Sequence, residues 1–424
     1  MAPRPSILQT SVGQRFLLYR GTEVIVYLPC QWYATAYVGS QTECPEYGTP
    51  SVIDTVGAHT HRALFLQPFL LWKARETPPK CLTDNSFGQH CYVRIKVSGI
   101  RFHYVASGEK GKPLMLLLHG FPENWFSWRH QLEAFRSKHW VVAMDLRGYG
   151  STDAPSGRDN YKLETLVADI KDVIEVLGYT QCILVGHDWG GILASMFAVY
   201  HPVMVSKLIV MNAPHLPAWQ DYALRHFSQV MRSSYIFMFQ LPKLPEILIS
   251  LADFKMLKRA LTGAEAGIQN PQRRLTEEEM EAFLYSISQP GGLTGPLNYY
   301  RNLMSSFPVK FQDVLVPTMV IWGERDQFLE AGMIHCMRHY VQQRFRVEVI
   351  ADASHWVQQD QPEAVNRLVA SFVAENMYML ETTVQRQEKI CEYAIVIPPP
   401  KKVFEVETLV NDLVLYTLQA KPFF

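Results

Sequence analysis

Asp188 stands at the centre of "LVGHDWGGILA" (184–194), with Gly186 two residues before it and Gly190 two after. A glycine–x–nucleophile–x–glycine spacing between a buried strand and a helix makes a strained turn that exposes its central side chain. The flanking "CILVG" has the composition of such a strand, and "GGILASMFAVY" that of such a helix. A carboxylate there suits displacement chemistry. With an ordinary pKa of about 3.9 it is ionised at neutral pH and needs no base to activate it. It attacks saturated carbon, and the product is an ester on the protein itself. Taken alone, the same residue reads equally as a helix N-cap, so other groups must decide.

Cleaving that ester takes a base, a partner for the base and donors for an oxyanion. "IWGERDQFLE" places Asp326 just past a buried strand, and "ADASHWVQQDQPEAV" places His355 in the loop after the next strand, "FRVEVI". Singly, Asp326 reads as a cap and His355 as a satisfied loop histidine. Together they follow the nucleophile in the order nucleophile, acid, histidine that this strand–turn–helix architecture requires. A neutral His355 held by Asp326 would deprotonate a water for attack on the Asp188 carbonyl. The backbone N–H groups of Trp189 and of Phe121 are the expected oxyanion donors. Phe121 lies in "LLLHGFPENW", after a strand at 114–118, where Pro122 fixes the turn and a cis bond is expected.

The departing group separates two chemistries. A halide leaves unaided and prefers indole or amide N–H groups around it, whereas an epoxide oxygen leaves as an alkoxide and needs a proton donor. Tyrosine, with a pKa near 10, is such a donor. "GGLTGPLNYYRNL" offers Tyr299 and Tyr300, and "RSSYIFMFQLP" offers Tyr235. Tyrosines are also common core residues, so at this point both leaving groups stay open.

The elements that must position these groups are legible. "LMLLLHG", "WVVAMDL", "CILVGHD", "KLIVMNA" and "TMVIWGE" are short apolar runs separated by helical stretches such as "LETLVADIKDVIEVLGY". Strands buried on both faces and spaced by helices predict an α/β fold with a mostly parallel central sheet. Two alternating strands around Gly99 predict a hairpin before it. Between "NAPHLPAW" and "VLVPTMVIWG" strand-like runs stop, and Thr276 and Glu279 have capping-box spacing. This predicts a helical cap inserted between two strands, over the sheet's carboxyl ends. The expected organisation is an N-terminal leader at 1–92, a core at 93–214 and 311–376, a cap at 215–310, and an appendage at 377–424.

Bulk composition narrows the classes. The 424 residues are 48% hydrophobic and 19% charged, and Lys+Arg 40 balance Asp+Glu 40. No basic stripe offers phosphates a landing site, so nucleic acid is not an expected partner. Seven cysteines without a C-x-x-C pair argue against a zinc site or a disulfide framework, and Cys182 is expected in the core of its strand. Neither a metal nor an organic cofactor is expected. "FLLYRGTEVIVYLPCQWYATAYVG" is interrupted by Arg20 and Glu23, and "ALFLQPFLLW" (63–72) is half the length of a span and broken by Pro68. Neither is a clear transmembrane helix; the second is a candidate interfacial segment.

The motifs "HGFPENW", "GHDWGG" and "GPLNYYRNL", with "LRGYGSTDAP" and "ASHWVQQDQP", resemble those of the epoxide hydrolases of the α/β-hydrolase superfamily. The likeness runs over roughly 78–376 and is expected to be strongest with the vertebrate membrane-associated branch typified by epoxide hydrolase 4. By matching position it implies Asp188 as nucleophile, Tyr300 as proton donor, His355 as base and Asp326 as its acid partner. Tyr235 matches a second tyrosine through a looser motif. The resemblance further implies a small-molecule epoxide substrate, of the lipid or fatty-acid class, and association with the endoplasmic-reticulum membrane. A haloalkane dehalogenase with the same Asp–His–Asp set, and a catalytically silent binding protein of this fold, are the competing readings.

Overall fold

Residues 6–9, 15–18, 73, 75–303 and 312–375 are described by the structure, a computed structural model. The chain separates into two units, Met1–Pro68 with Glu405–Lys421 and Phe69–Phe404 with Pro422–Phe424. Of the first, β1 (Ser6–Gln9) and β2 (Arg15–Leu18) are described; they pair antiparallel, with Ser6 opposite Leu18. Most of the apolar stretch from Phe16 and all of 63–72 lie outside the described residues. Among the described residues no helix is long and apolar enough to cross a membrane.

The second unit is built on eight strands. These are β3 (Gln89–Arg94), β4 (Arg101–Ser107), β5 (Leu114–Leu118), β6 (Trp140–Met144), β7 (Cys182–His187), β8 (Val205–Met211), β9 (Thr318–Gly323) and β10 (Phe345–Ile350). Their order is β10-β9-β8-β7-β5-β6-β4-β3. β5 to β10 pair in parallel, while β4 is antiparallel to both β3 and β6. The five apolar runs become β5 to β9 and are buried almost throughout, because helices cover both faces of the sheet. β10 lies at the edge and leaves Val347 and Val349 exposed. The hairpin around Gly99 is β3–β4. The predicted α/β class and mostly parallel sheet are what the structure has.

The connections create a crevice. From β5 the chain moves outward to β6, returns through helix Leu163–Val176 to β7 on the other side of β5, and continues away to β8. Right-handed crossovers running in opposite directions place their helices on opposite faces, so the loops leaving β5 and β7 part from each other. Ligands of open α/β sheets bind at such a point, outside the carboxyl ends of the strands.

Between β8 and β9 the described chain is helical, as expected of an inserted cap. Its helices are Leu216–Ala223, Phe227–Arg232, Ser234–Phe239, Leu244–Thr262, Glu277–Ile287 and Thr294–Leu303. Thr276 and Glu279 form the reciprocal capping box, each side chain accepting the other's backbone N–H. Cys182 is buried in β7.

Candidate active site

Asp188 sits between β7 and helix Trp189–Tyr200 with φ 50° and ψ −121°, a conformation that side chains other than glycine rarely adopt. Its N–H donates to the Met211 carbonyl at 3.2 Å, and its own carbonyl accepts from Ile192 N–H at 3.0 Å. The flanking glycines are steric requirements. A Cβ on Gly186 would come within 2.2 Å of the Gly190 carbonyl oxygen, and one on Gly190 within 2.1 Å of the Leu118 carbonyl oxygen. The turn thus presses against the end of β5. That contact brings the Phe121 N–H to Asp188 Oδ1, to which it donates at 2.8 Å. The Phe121–Pro122 bond is cis, as the sequence leads one to expect. Trp189 opens its helix, where the first N–H groups have no acceptor within the helix.

His355 and Asp326 arrive from the loops after β10 and β9. His355 Nδ1 lies 2.8 Å from Asp326 Oδ2, and His355 Nε2 lies 3.7 Å from Asp188 Oδ2, beyond hydrogen-bond length. The Asp326 carboxylate is fully committed: Oδ2 also accepts from Asn212 Nδ2 at 2.7 Å, and Oδ1 accepts from the N–H groups of Phe328 and Leu329 at 2.8 and 3.0 Å. Burial opposes ionisation of Asp326, but His355, Asn212 and these donors hold its pKa below the usual carboxylate range. Burial likewise opposes the charge on Asp188, and His355, His187 and the Phe121 N–H outweigh it in the same direction. For His355, burial acts to lower the pKa; Asp326 and Asp188 reverse this and raise it to about 10. Both carboxylates thus favour the protonated imidazole of His355.

One cavity, partly open to solvent, holds Asp188 and His355 together with Tyr235 and Tyr300 from the cap. The two tyrosine rings meet edge to face with centroids 5.9 Å apart. Burial, and then the Asp188 charge, push both phenols above their ordinary pKa, so both carry their protons. Tyr299 turns away: its hydroxyl donates to the Arg147 carbonyl at 2.8 Å. The rest of the wall is apolar, chiefly Phe239, Met256, Leu257, Phe328 and Trp356. The Trp356 indole N–H already donates to the carbonyls of Ala260 and Ala266, at 2.9 and 3.1 Å.

The structure adds residues with no role in the sequence-based set. Asn212 follows β8 with φ 43°, donates to Asp326, and accepts from the Gly323 N–H at 3.0 Å. Arg232 of the cap donates to the Asp326 carbonyl at 2.8 Å. Behind the site, His187 Nδ1 lies 2.8 Å from Glu123 Oε2 and its Nε2 donates to the His355 carbonyl at 2.9 Å. Glu123 also accepts from the Gly120 N–H and from the side-chain amides of Gln358 and Gln359. It thereby joins the loops after β5, β7 and β10. Both Glu123 and His187 lie inside the quoted motifs, so the signal was their position, without a partner to interpret it.

Known proteins resemble this chain in sequence and fold. A family model described as alpha/beta hydrolase fold matches residues 113–362. The chain is 58% identical over 305 residues to epoxide hydrolase 3 of Xenopus tropicalis, which covers 72% of this chain and 83% of that one. It is 54% identical over 302 residues to epoxide hydrolase 4 of Homo sapiens, covering 71% and 83%. The higher identity to the former places the likeness at the level of the family rather than with epoxide hydrolase 4. Among solved structures, an epoxide hydrolase from Bacillus megaterium in complex with an inhibitor matches with a TM-score of 0.62 at 32% identity, over 67% of this chain and 100% of that one.

Proposed function

This chain belongs to the epoxide hydrolases, enzymes of the α/β-hydrolase fold, and we propose that it converts epoxides on apolar, lipid-like chains to vicinal diols through an ester on Asp188. The observation that carries this reading is the meeting of two protonated cap tyrosines, Tyr235 and Tyr300, with Asp188 in one cavity.

In the first step Asp188 Oδ2 attacks an epoxide carbon and the C–O bond of the ring breaks. The electron pair goes to the ring oxygen, which takes a proton from Tyr300, with Tyr235 as second donor. The tyrosinate regains its proton from the His355 imidazolium. Esterification removes the Asp188 charge, one of the two that hold His355 protonated. His355 is then neutral when a base is needed. It takes a proton from water, whose oxygen attacks Asp188 Cγ. The oxyanion forms on Oδ1, where the Phe121 N–H already sits, and the Trp189 N–H is the second donor; one such donor is typically worth ~10²–10³ in rate. Collapse releases the diol and restores the carboxylate and the imidazolium.

The cavity wall supports an uncharged, apolar substrate segment, since among the described residues no Lys or Arg lines it. Halide displacement fits less well. Trp189, beside the nucleophile, would suit a halide, but that reading leaves both tyrosines without a task. A single turnover in heavy-oxygen water tests the proposal. The expected diol is unlabelled, its new oxygen coming from Asp188; full labelling in that first turnover would mean that water attacks the epoxide directly.

A further inference from the structure

The segment just before β3 is tied to the cap by one buried cation. The Arg75 side chain is 4% exposed and its guanidinium spans two carboxylates. Nη1 and Nη2 donate to Asp253 Oδ1 and Oδ2 at 3.0 and 3.1 Å, while Nε and Nη2 donate to the two oxygens of Glu281. A third acceptor, the Lys73 carbonyl, takes Nη1 at 3.0 Å. The backbone around Arg75 is fixed to helix Glu277–Ile287 and to the residues just after it. Gln289 Nε2 donates to the Arg75 carbonyl at 3.0 Å, and the Cys81 N–H donates to Glu278 Oε1 at 3.1 Å.

The two carboxylates lie on different cap elements. Glu281 is in helix Glu277–Ile287, and Asp253 is in the kink of Leu244–Thr262. There Ala252, Asp253 and Phe254 adopt φ 50°, 56° and 60° in succession. Three consecutive left-handed residues without glycine persist only where their surroundings dictate them. Arg75 supplies such surroundings, with Lys258 as a second cation on Asp253 and Phe254 under the guanidinium at 5.7 Å. Beyond the kink, Met256, Leu257 and Ala260 share a helix face and line the cavity. The Ala260 carbonyl accepts the Trp356 indole N–H, beside His355. The pocket-lining stretch is therefore held by Arg75 at its start and by Trp356 at its end.

We propose that Arg75 is a positioning residue for substrate selection: its fork clamps the left-handed kink to helix Glu277–Ile287 and so fixes where Met256, Leu257 and Ala260 stand at the apolar end of the pocket. This rests on the reading of that pocket as the substrate chamber. Lysine cannot replace arginine here, because a single ammonium does not span two carboxylates in the fork geometry.

Amide hydrogen exchange on the full chain tests the clamp without any assumption about the reaction. Arg75→Ala should accelerate exchange in 251–262 about tenfold while β7 and β9 stay protected, and Arg75→Lys should fall between it and the parent. Unchanged exchange in 251–262, equal acceleration in the central strands, or an Arg75→Lys protein identical to the parent would overturn the clamp; the lysine variant decides alone if the alanine variant does not fold. In turnover, the ratio of kcat/KM for a long-chain alkyl epoxide to that for styrene oxide should fall about fivefold, with kcat on styrene oxide held within about twofold. An equal loss on both substrates overturns the selectivity role. A parent enzyme inactive on every epoxide would instead remove the proposed reaction and leave the exchange result to decide the clamp.

Discussion

The Phe121 N–H donates to Oδ1 of Asp188 at 2.8 Å, so the donor suited to a tetrahedral oxyanion is already in place on the free carboxylate. The same geometry divides the two carboxylate oxygens. Oδ1 is held by backbone, and Oδ2 faces His355 and the cavity. The proposed reaction therefore uses Oδ2 as the attacking atom and leaves Oδ1 with the enzyme. After one turnover in heavy-oxygen water, the peptide containing Asp188 should carry one heavy oxygen. Mass spectrometry of the digested enzyme measures this directly, and an unlabelled peptide would contradict attack of water at Cγ.

Splitting the steps gives a second expectation. His355→Gln should form the ester and fail to hydrolyse it, so intact-mass spectrometry should find the enzyme heavier by one substrate. Asp188→Ala should gain nothing. The absence of an adduct in both variants would show that His355 is needed before the ester forms.

The cap tyrosines should share the acid's work. Tyr300→Phe keeps the ring that packs edge to face on Phe121 and Trp189, so the fold should be little affected. With Tyr235 still facing the cavity, alkylation should slow by about 10²-fold, the range of one positioned acid, and by considerably more in the double variant. Stopped-flow alkylation rates that are equal in the parent and the Tyr235→Phe/Tyr300→Phe enzyme would transfer the assignment to halide displacement.

Proton linkage makes stability depend on pH in a stated direction. His355 is raised from 6.5 to about 10, so between those values the folded chain binds more protons than the unfolded one. Its stabilising contribution is complete below about 6.5 and is lost as pH rises towards 10. Asp188 and Asp326 are lowered, and their contributions vanish instead as pH falls through the acid range. Urea midpoints from pH 6 to 10 should therefore decline more steeply for the parent than for His355→Gln; parallel curves would deny the imidazolium.

What could be read from sequence was local. Asp188 and Asp326 each lie beside a strand whose apolar run is continuous, His355 follows the alternating run of β10, and β5 falls at 114–118 as expected. Asn212 is different. It is an ordinary turn residue in its own segment, and its partner Asp326 is 114 positions away. The Glu123–His187 pair spans 64 positions and hides within two motifs for the same reason. Tyr299 and Tyr300 are neighbours on one helix, about 100° apart around its axis, so only one can face the cavity. Which one it is depends on how helix Thr294–Leu303 is rotated against Arg147, a tertiary fact.

The insertion between β8 and β9 carries both tyrosines, whereas Asp188, Phe121, Asp326 and His355 all belong to the frame on either side. In the proposed reaction, then, the proton donors and the ester-resolving groups lie in different stretches of the chain. Under the proposed reaction, exchanging the cap between β8 and β9 should change which bond is broken and leave the groups proposed to resolve the ester in place. Arg232 crosses between these stretches, because it reaches from the insertion to the Asp326 carbonyl, as the Trp356 indole N–H crosses the other way to the Ala260 and Ala266 carbonyls. A transplanted cap should therefore keep a donor to that oxygen and acceptors for Trp356.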